Sequence, residues 1–101
     1  MTEREDGVKN EPVSIVFEEK AQRSAAYQDG RLIGECEFSA SETVWIITHT
    51  GVRPGHEGQG IARKLVEKVI GEARVRHVRI LPTCSYARKL MIGNEAYQDV
   101  L

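Results

Sequence analysis

Two cysteines, three prolines and one tryptophan among 101 residues remove several classes of protein at once. Cys36 and Cys84 have neither the spacing of a zinc site nor that of a redox pair, so no disulfide framework is expected. Both read as reduced thiols of a cytoplasmic protein. No run of about 18 apolar residues occurs, so no membrane-spanning helix and no membrane partner are expected. The N-terminus lacks the charged-then-apolar pattern of a signal peptide. Lysine plus arginine (14) nearly balance aspartate plus glutamate (15), for a formal net charge of -1. That balance gives no electrostatic footprint for nucleic acid. No three ligand-type side chains cluster in sequence, so no metal is expected. A chain of this length is one domain, near the lower end of sizes that bury a self-sufficient core. Residues 1–12 are charged and polar and read as a flexible N-terminal tail. Residues 13–101 are the folded unit.

What is present is patterned. Residues 13–17, 25–28, 32–39 and 43–52 are rich in β-branched and aromatic side chains and read as four strands. Asp29-Gly30 between the second and third is a hairpin signal. Arg53-Pro54-Gly55 breaks the fourth strand. Ile61, Ala62, Leu65, Val66, Val69, Ile70 and Ala73 then recur at the spacing of a buried helical stripe. Residues 78–81 form a short strand stopped by Pro82, and residues 86–92 a second, shorter helix. Residues 96–101 carry apolar side chains that can pack back. Strand, helix and strand in succession make a crossover, so the last strand should run parallel to the fourth. The expected class is α+β: a mostly antiparallel sheet of about five strands with two helices packed on it.

The segment His56-Glu57-Gly58-Gln59-Gly60-Ile61-Ala62 sits at the strand-to-helix turn. The first backbone N–H groups of a helix lack partners within it, and the helix dipole places about half a positive charge there. Such a turn is a seat for a phosphate or pyrophosphate. Two familiar phosphate loops are excluded by spacing. Gly55 and Gly60 have the gap of a P-loop, but Ile61-Ala62 stand where it needs lysine and a hydroxyl. Gly58-Gln59-Gly60 is followed by Arg63 where the dinucleotide fingerprint needs glycine, and a meander precedes it.

Four separated blocks carry a resemblance. They are His49-Thr50-Gly51-Val52-Arg53-Pro54; Gly58-Gln59-Gly60-Ile61-Ala62 with Leu65-Val66; Leu81-Pro82-Thr83-Cys84-Ser85-Tyr86-Ala87; and Ala96-Tyr97-Gln98-Asp99-Val100-Leu101. In this order they resemble the small GNAT-like (Gcn5-related) N-acetyltransferase family of short, single-domain type, over roughly residues 14–101. The resemblance implies a minimal acetyltransferase fold, acetyl-CoA as co-substrate and transfer of acetyl to a primary amine. The family loop is similar to Arg/Gln-x-x-Gly-x-Gly/Ala. Gly60 and Ala62 fit it, whereas Glu57 stands in the first position. Two unit charges about 4 Å apart at an effective dielectric near 20 repel by about 4 kcal/mol. An exposed carboxylate that swings away from the pyrophosphate feels far less.

The resemblance also implies where CoA sits. The pyrophosphate would rest on the amides of Gln59, Gly60, Ile61, Ala62 and Arg63, with Gly58 a further cofactor-binding candidate in the same loop and Arg53, Arg63 or Lys64 meeting the phosphates. The pantetheine arm would pair with a free edge at Thr50, Gly51 and Val52, which requires the last strand to splay from the fourth. The acetyl group would lie between His49 and Cys84. His49 is the candidate base, alternating with Trp45 and Ile47 and so expected on their face. Cys84 is the candidate acyl carrier or acid, and Tyr86 a candidate proton donor. Asn94 is a candidate pantetheine contact or a helix cap. Glu35 and Glu37 share a face opposite Cys36 and Phe38, as solvated charges or as the lining of an amine groove. With so little chain beyond the CoA half, the acceptor is expected to be an exposed lysine or a polyamine, and the protein a monomer or weak homodimer. The competing expectations are a CoA-binding module with little turnover, or a structural interaction domain.

Overall fold

The computed structural model describes residues 12–101. The expected tail, 1–12, lies outside the described residues except for Pro12. The chain runs β1 (Ser14–Glu18), β2 (Arg23–Gln28), β3 (Arg31–Ala40), β4 (Val44–Val52), α1 (Ile61–Arg76), β5 (Arg79–Pro82), α2 (Ser85–Met91) and a closing 3-10 helix (Glu95–Val100). The strands lie side by side in sequence order. The first three pairings are antiparallel and β5 runs parallel to β4. The α+β class, the meander and the crossover thus agree with the pattern of the sequence. The β2–β3 turn has φ of 53° at Asp29 and 76° at Gly30, the two positive values that a type I′ hairpin turn needs.

Helix α1 buries Ile61, Leu65, Val66, Val69, Ile70 and Ala73, the apolar stripe apart from Ala62. These side chains join Cys36, Phe38, Trp45, Ile47 and Ile80 of the sheet in one core cluster. Ser24, fully buried, donates from Oγ to the Leu65 carbonyl at 2.7 Å and ties β2 to α1. The helix ends at His77 (φ 58°), where the amides of His77 and Val78 turn back to the last carbonyls. This left-handed cap satisfies groups that would otherwise be orphaned. The apolar tail does pack back: the 3-10 helix buries Tyr97 and Val100, and Arg74 holds it through Asp99 and the Ala96 carbonyl.

Two irregularities in β4 shape the site. Glu37 pairs with His49 and Phe38 with Ile47, leaving Thr48 as an extra residue, a β-bulge. The bulge inverts the alternation that follows it. Trp45 and Ile47 face the helices. His49, which strict alternation would put beside them, instead faces the open side of the sheet, and Thr50 takes the helix side. Pairing between β4 and β5 stops at Ile47↔Pro82. The amides of Thr83 and Cys84 both turn to the Ile47 carbonyl, so the chain leaves the sheet there. Residues 48–52 have no β5 partner, which is the expected splay.

Candidate functional site

Helix α1 begins without help from a side chain. Its N-cap is Gly60, at φ 78°, and no side-chain hydrogen bond caps it. A left-handed residue here lets the loop turn directly into the helix and leaves the first amides pointing outward. In front of them lies a cleft of about 370 Å³, lined by residues from three stretches: Thr50, Gly51 and Val52 of β4, the 56–63 loop and helix start, and Tyr86 of α2. Its walls include Gly58, Gly60, Ile61, Ala62 and Arg63 from the expected set, together with His56 and Glu57. The cleft thus joins a helix N-terminus to the unpaired edge of β4.

The charged groups around it are arranged by their own partners. Glu57 has swung onto the loop, where Oε1 accepts from the Gly55 amide at 2.9 Å. Hydrogen bonds from its own amide and that of Gly55 hold its carboxyl below the usual range. Backbone donors of the loop itself therefore offset the charge. Arg63 lies on the cleft wall, but its Nε donates to Glu67 at 3.2 Å. Arg53 turns away: its Nε donates to the Leu32 carbonyl, and it borders a smaller hollow with Gly34, Glu35 and Pro54. Gln59 and Lys64 are exposed beside the cleft and are not part of its wall.

The thiols lie on the helix side of β4. Cys84 is the N-cap of α2, its Sγ accepting from the Ala87 amide at 3.3 Å. Thr50 places its hydroxyl 3.4 Å from Cys84 Sγ and 3.6 Å from Cys36 Sγ. Burial pushes the Cys36 thiol up to about 12, against a smaller opposite effect of Thr50, so Cys36 stays protonated. His49 is on the other face, with Nε2 3.1 Å from Glu35 Oε2. The structure therefore sets Thr50, Cys84 and Tyr86 around the helix-side end of the splay and His49 across the sheet from them. Asn94 caps the 3-10 helix, accepting from the Ala96 amide at 3.0 Å, and is not on the cleft wall. Two relationships have no signal in the sequence: the Thr50 hydroxyl between two distant cysteines, and the selection of Glu35 rather than Glu37 by His49. Among the described residues no group of three side chains could hold a metal ion.

The fold is that of a known class. The solution structure of a GCN5-like protein from Staphylococcus aureus matches with a TM-score of 0.66 at 27% identity, covering 86% of this chain and 85% of that one. A GNAT family acetyltransferase from Brucella melitensis in complex with acetyl-CoA matches at 25% identity and a TM-score of 0.56, covering 71% and 54%. One from Elizabethkingia anophelis with acetyl-CoA bound is 18% identical with a TM-score of 0.56, covering 67% and 48%, and shares the fold. The chain covers about half the length of these last two. No curated protein matches it. The profile of the GCN5-related N-acetyltransferases matches residues 23–100. The chain belongs to the GCN5-related N-acetyltransferase family.

Proposed function

We propose that this protein is an acetyl-CoA-dependent N-acetyltransferase of the short single-domain type. It moves acetyl to a primary amine presented outside the protein, on an exposed lysine or a polyamine. One observation carries the reading: a single cleft joins the uncapped N-terminus of α1 to the unpaired edge of β4. A pyrophosphate suits the first, because free amides and the helix dipole favour an anion. A pantetheine arm suits the second, because its amides pair like an added strand. Gly58 to Arg63 supply the loop donors, with Lys64 as a nearby cation. Two family members bind acetyl-CoA, which supports the same co-substrate here.

The chemistry follows from the two faces of β4. The amine nitrogen attacks the thioester carbonyl, a C–N bond forms and the C–S bond breaks. His49 on the open face takes the proton from nitrogen. Cys84 or Tyr86 on the helix face returns one to the CoA sulfur. A positioned base and acid each contribute typically 10²–10⁴-fold. The acceptor approaches from the open face of the sheet and the donor from the helix side. The reading carries with it a cytoplasmic protein, monomeric or weakly dimeric.

A second reading, a CoA-binding module with little turnover, is favoured by one observation: Cys84 Sγ is engaged as a helix cap. Calorimetric titration with acetyl-CoA, CoA and ATP, followed by CoA-release assays on a panel of amines, separates the two. The enzyme reading expects binding of both thio-ligands, weak binding of ATP, and release of CoA with at least one amine. Binding without release supports the module. No heat at millimolar acetyl-CoA removes both.

A further inference from the structure

We propose that Glu35 is a positioning residue, fixing which nitrogen of His49 is free to accept a proton. The inference rests on the reading of His49 as base. Three features of β3 and β4 converge on one geometry. The bulge at Thr48 turns His49 onto the open face of the sheet. Gly51 is the cross-strand partner of Glu35, and a Cβ there would lie 2.9 Å from His49 Nε2 and 3.2 Å from its Cε1. The imidazole therefore lies across Gly51 because that residue has no side chain. In that position Nε2 meets Glu35 Oε2 at 3.1 Å. Glu37, the direct cross-strand partner of His49, is exposed, and no hydrogen bond joins it to the ring.

A carboxylate only accepts. Nε2 must then carry the hydrogen, and Nδ1 holds the lone pair. Without a partner, a half-exposed imidazole (side chain 52% exposed) divides itself among rotamers and between two tautomers. One pair at this exposure adds little to stability. Its consequence is orientation, as expected of a group that acts through another residue.

The experiment pairs kinetics with long-range ¹H–¹⁵N NMR of the neutral His49 ring in wild-type protein, E35Q, E35D and G51A. The wild-type ring is expected as the Nε2–H tautomer, and E35Q and G51A as tautomer mixtures. In E35Q, kcat should fall about 10-fold or more, a share of what a base contributes. The KM for acetyl-CoA and the melting temperature should stay near wild type. E35D should recover part of the rate, and E35Q combined with H49A should be no slower than H49A alone. A wild-type Nδ1–H ring, or wild-type kcat in E35Q, overturns the role of Glu35 while leaving acetyl transfer intact. Absence of turnover in the wild-type protein instead removes the enzyme reading, and with it any catalytic role for the pair.

Discussion

Replacing Gly60 by alanine separates the fold of the loop from its ligand. Gly60 caps α1 at φ 78°, and a Cβ built there meets nothing within 4 Å. The substitution therefore clashes with no protein atom. Its cost to folding is the left-handed backbone, about 1–2 kcal/mol for a residue with a side chain. At about 4–8 °C per kcal/mol for a domain of this size, the melting temperature should drop by roughly 5–15 °C. The cost to binding is different in kind. The new methyl group stands in the cleft, beside the amides on which a pyrophosphate would rest. A hydrogen bond to a charged group contributes about 1.5–3 kcal/mol, so each one lost weakens affinity about 10- to 100-fold. Gly55 provides the matched control. It also has a positive φ, 91°, with nothing near a Cβ, but it is not on the cleft wall. Calorimetry with acetyl-CoA and thermal melts on both variants decide the matter. Both should melt lower, and only Gly60→Ala should lose affinity. If the two variants bind acetyl-CoA equally well, the pyrophosphate does not sit at this helix start.

Four further outcomes follow from contacts of the cysteines and of Ser24. Cys84→Ser should retain the cap of α2, because a hydroxyl accepts from the Ala87 amide at least as well as a thiol, whereas Cys84→Ala should cost about 1 kcal/mol in chemical denaturation. A melt in which the two are equal would show that the Sγ contact at 3.3 Å contributes nothing. Native protein should consume one equivalent of a thiol reagent at Cys84, with Cys36 protected until unfolding. The Cys36 thiol, raised by burial from 9.0 to about 12, holds its proton longer in the folded state than in the unfolded one. Its contribution to stability is thus complete below about pH 9 and lost as pH rises toward about 12, at about 1.4 kcal/mol per unit. A Cys36→Ala protein should show a flatter alkaline limb, and an unchanged limb would contradict this. Ser24→Ala should destabilise by about 1 kcal/mol, since its hydroxyl bonds a helix carbonyl at 2.7 Å in full burial. A neutral result would mean that the Leu65 carbonyl needs only its helical partner.

The sequence carried the local rules to completion. A type I′ turn needs two positive φ values, and Asp-Gly is the dipeptide that tolerates them, so the β2–β3 hairpin was legible at residues 29 and 30. An apolar stripe at helical spacing has one way to bury itself, so α1 was legible residue by residue, except for Ala62, which lies half-buried at the cleft. The uncapped start of α1 at Gly60 followed from the glycines ahead of that stripe. The crossover to a parallel β5 followed from the order strand, helix, strand.

What remained was decided by contacts between distant segments. Strict alternation placed His49 with Trp45 and Ile47, but one extra residue at Thr48 reverses every later side chain, and a bulge leaves no trace in the period-2 pattern. Arg53 looked available for a phosphate until the fold brought the Leu32 carbonyl within reach of its guanidinium. Glu57 looked repulsive, yet the turn offers it the Gly55 amide. The Thr50 hydroxyl reaches Cys36 and Cys84 only because β3, β4 and the start of α2 meet at the splay. Composition, turn chemistry and periodicity act within a few residues, so the sequence by itself determined the elements, their order and the glycine turn that opens α1. Side-chain direction and charge pairing depend on register and on which strands part, and those only the tertiary structure decided.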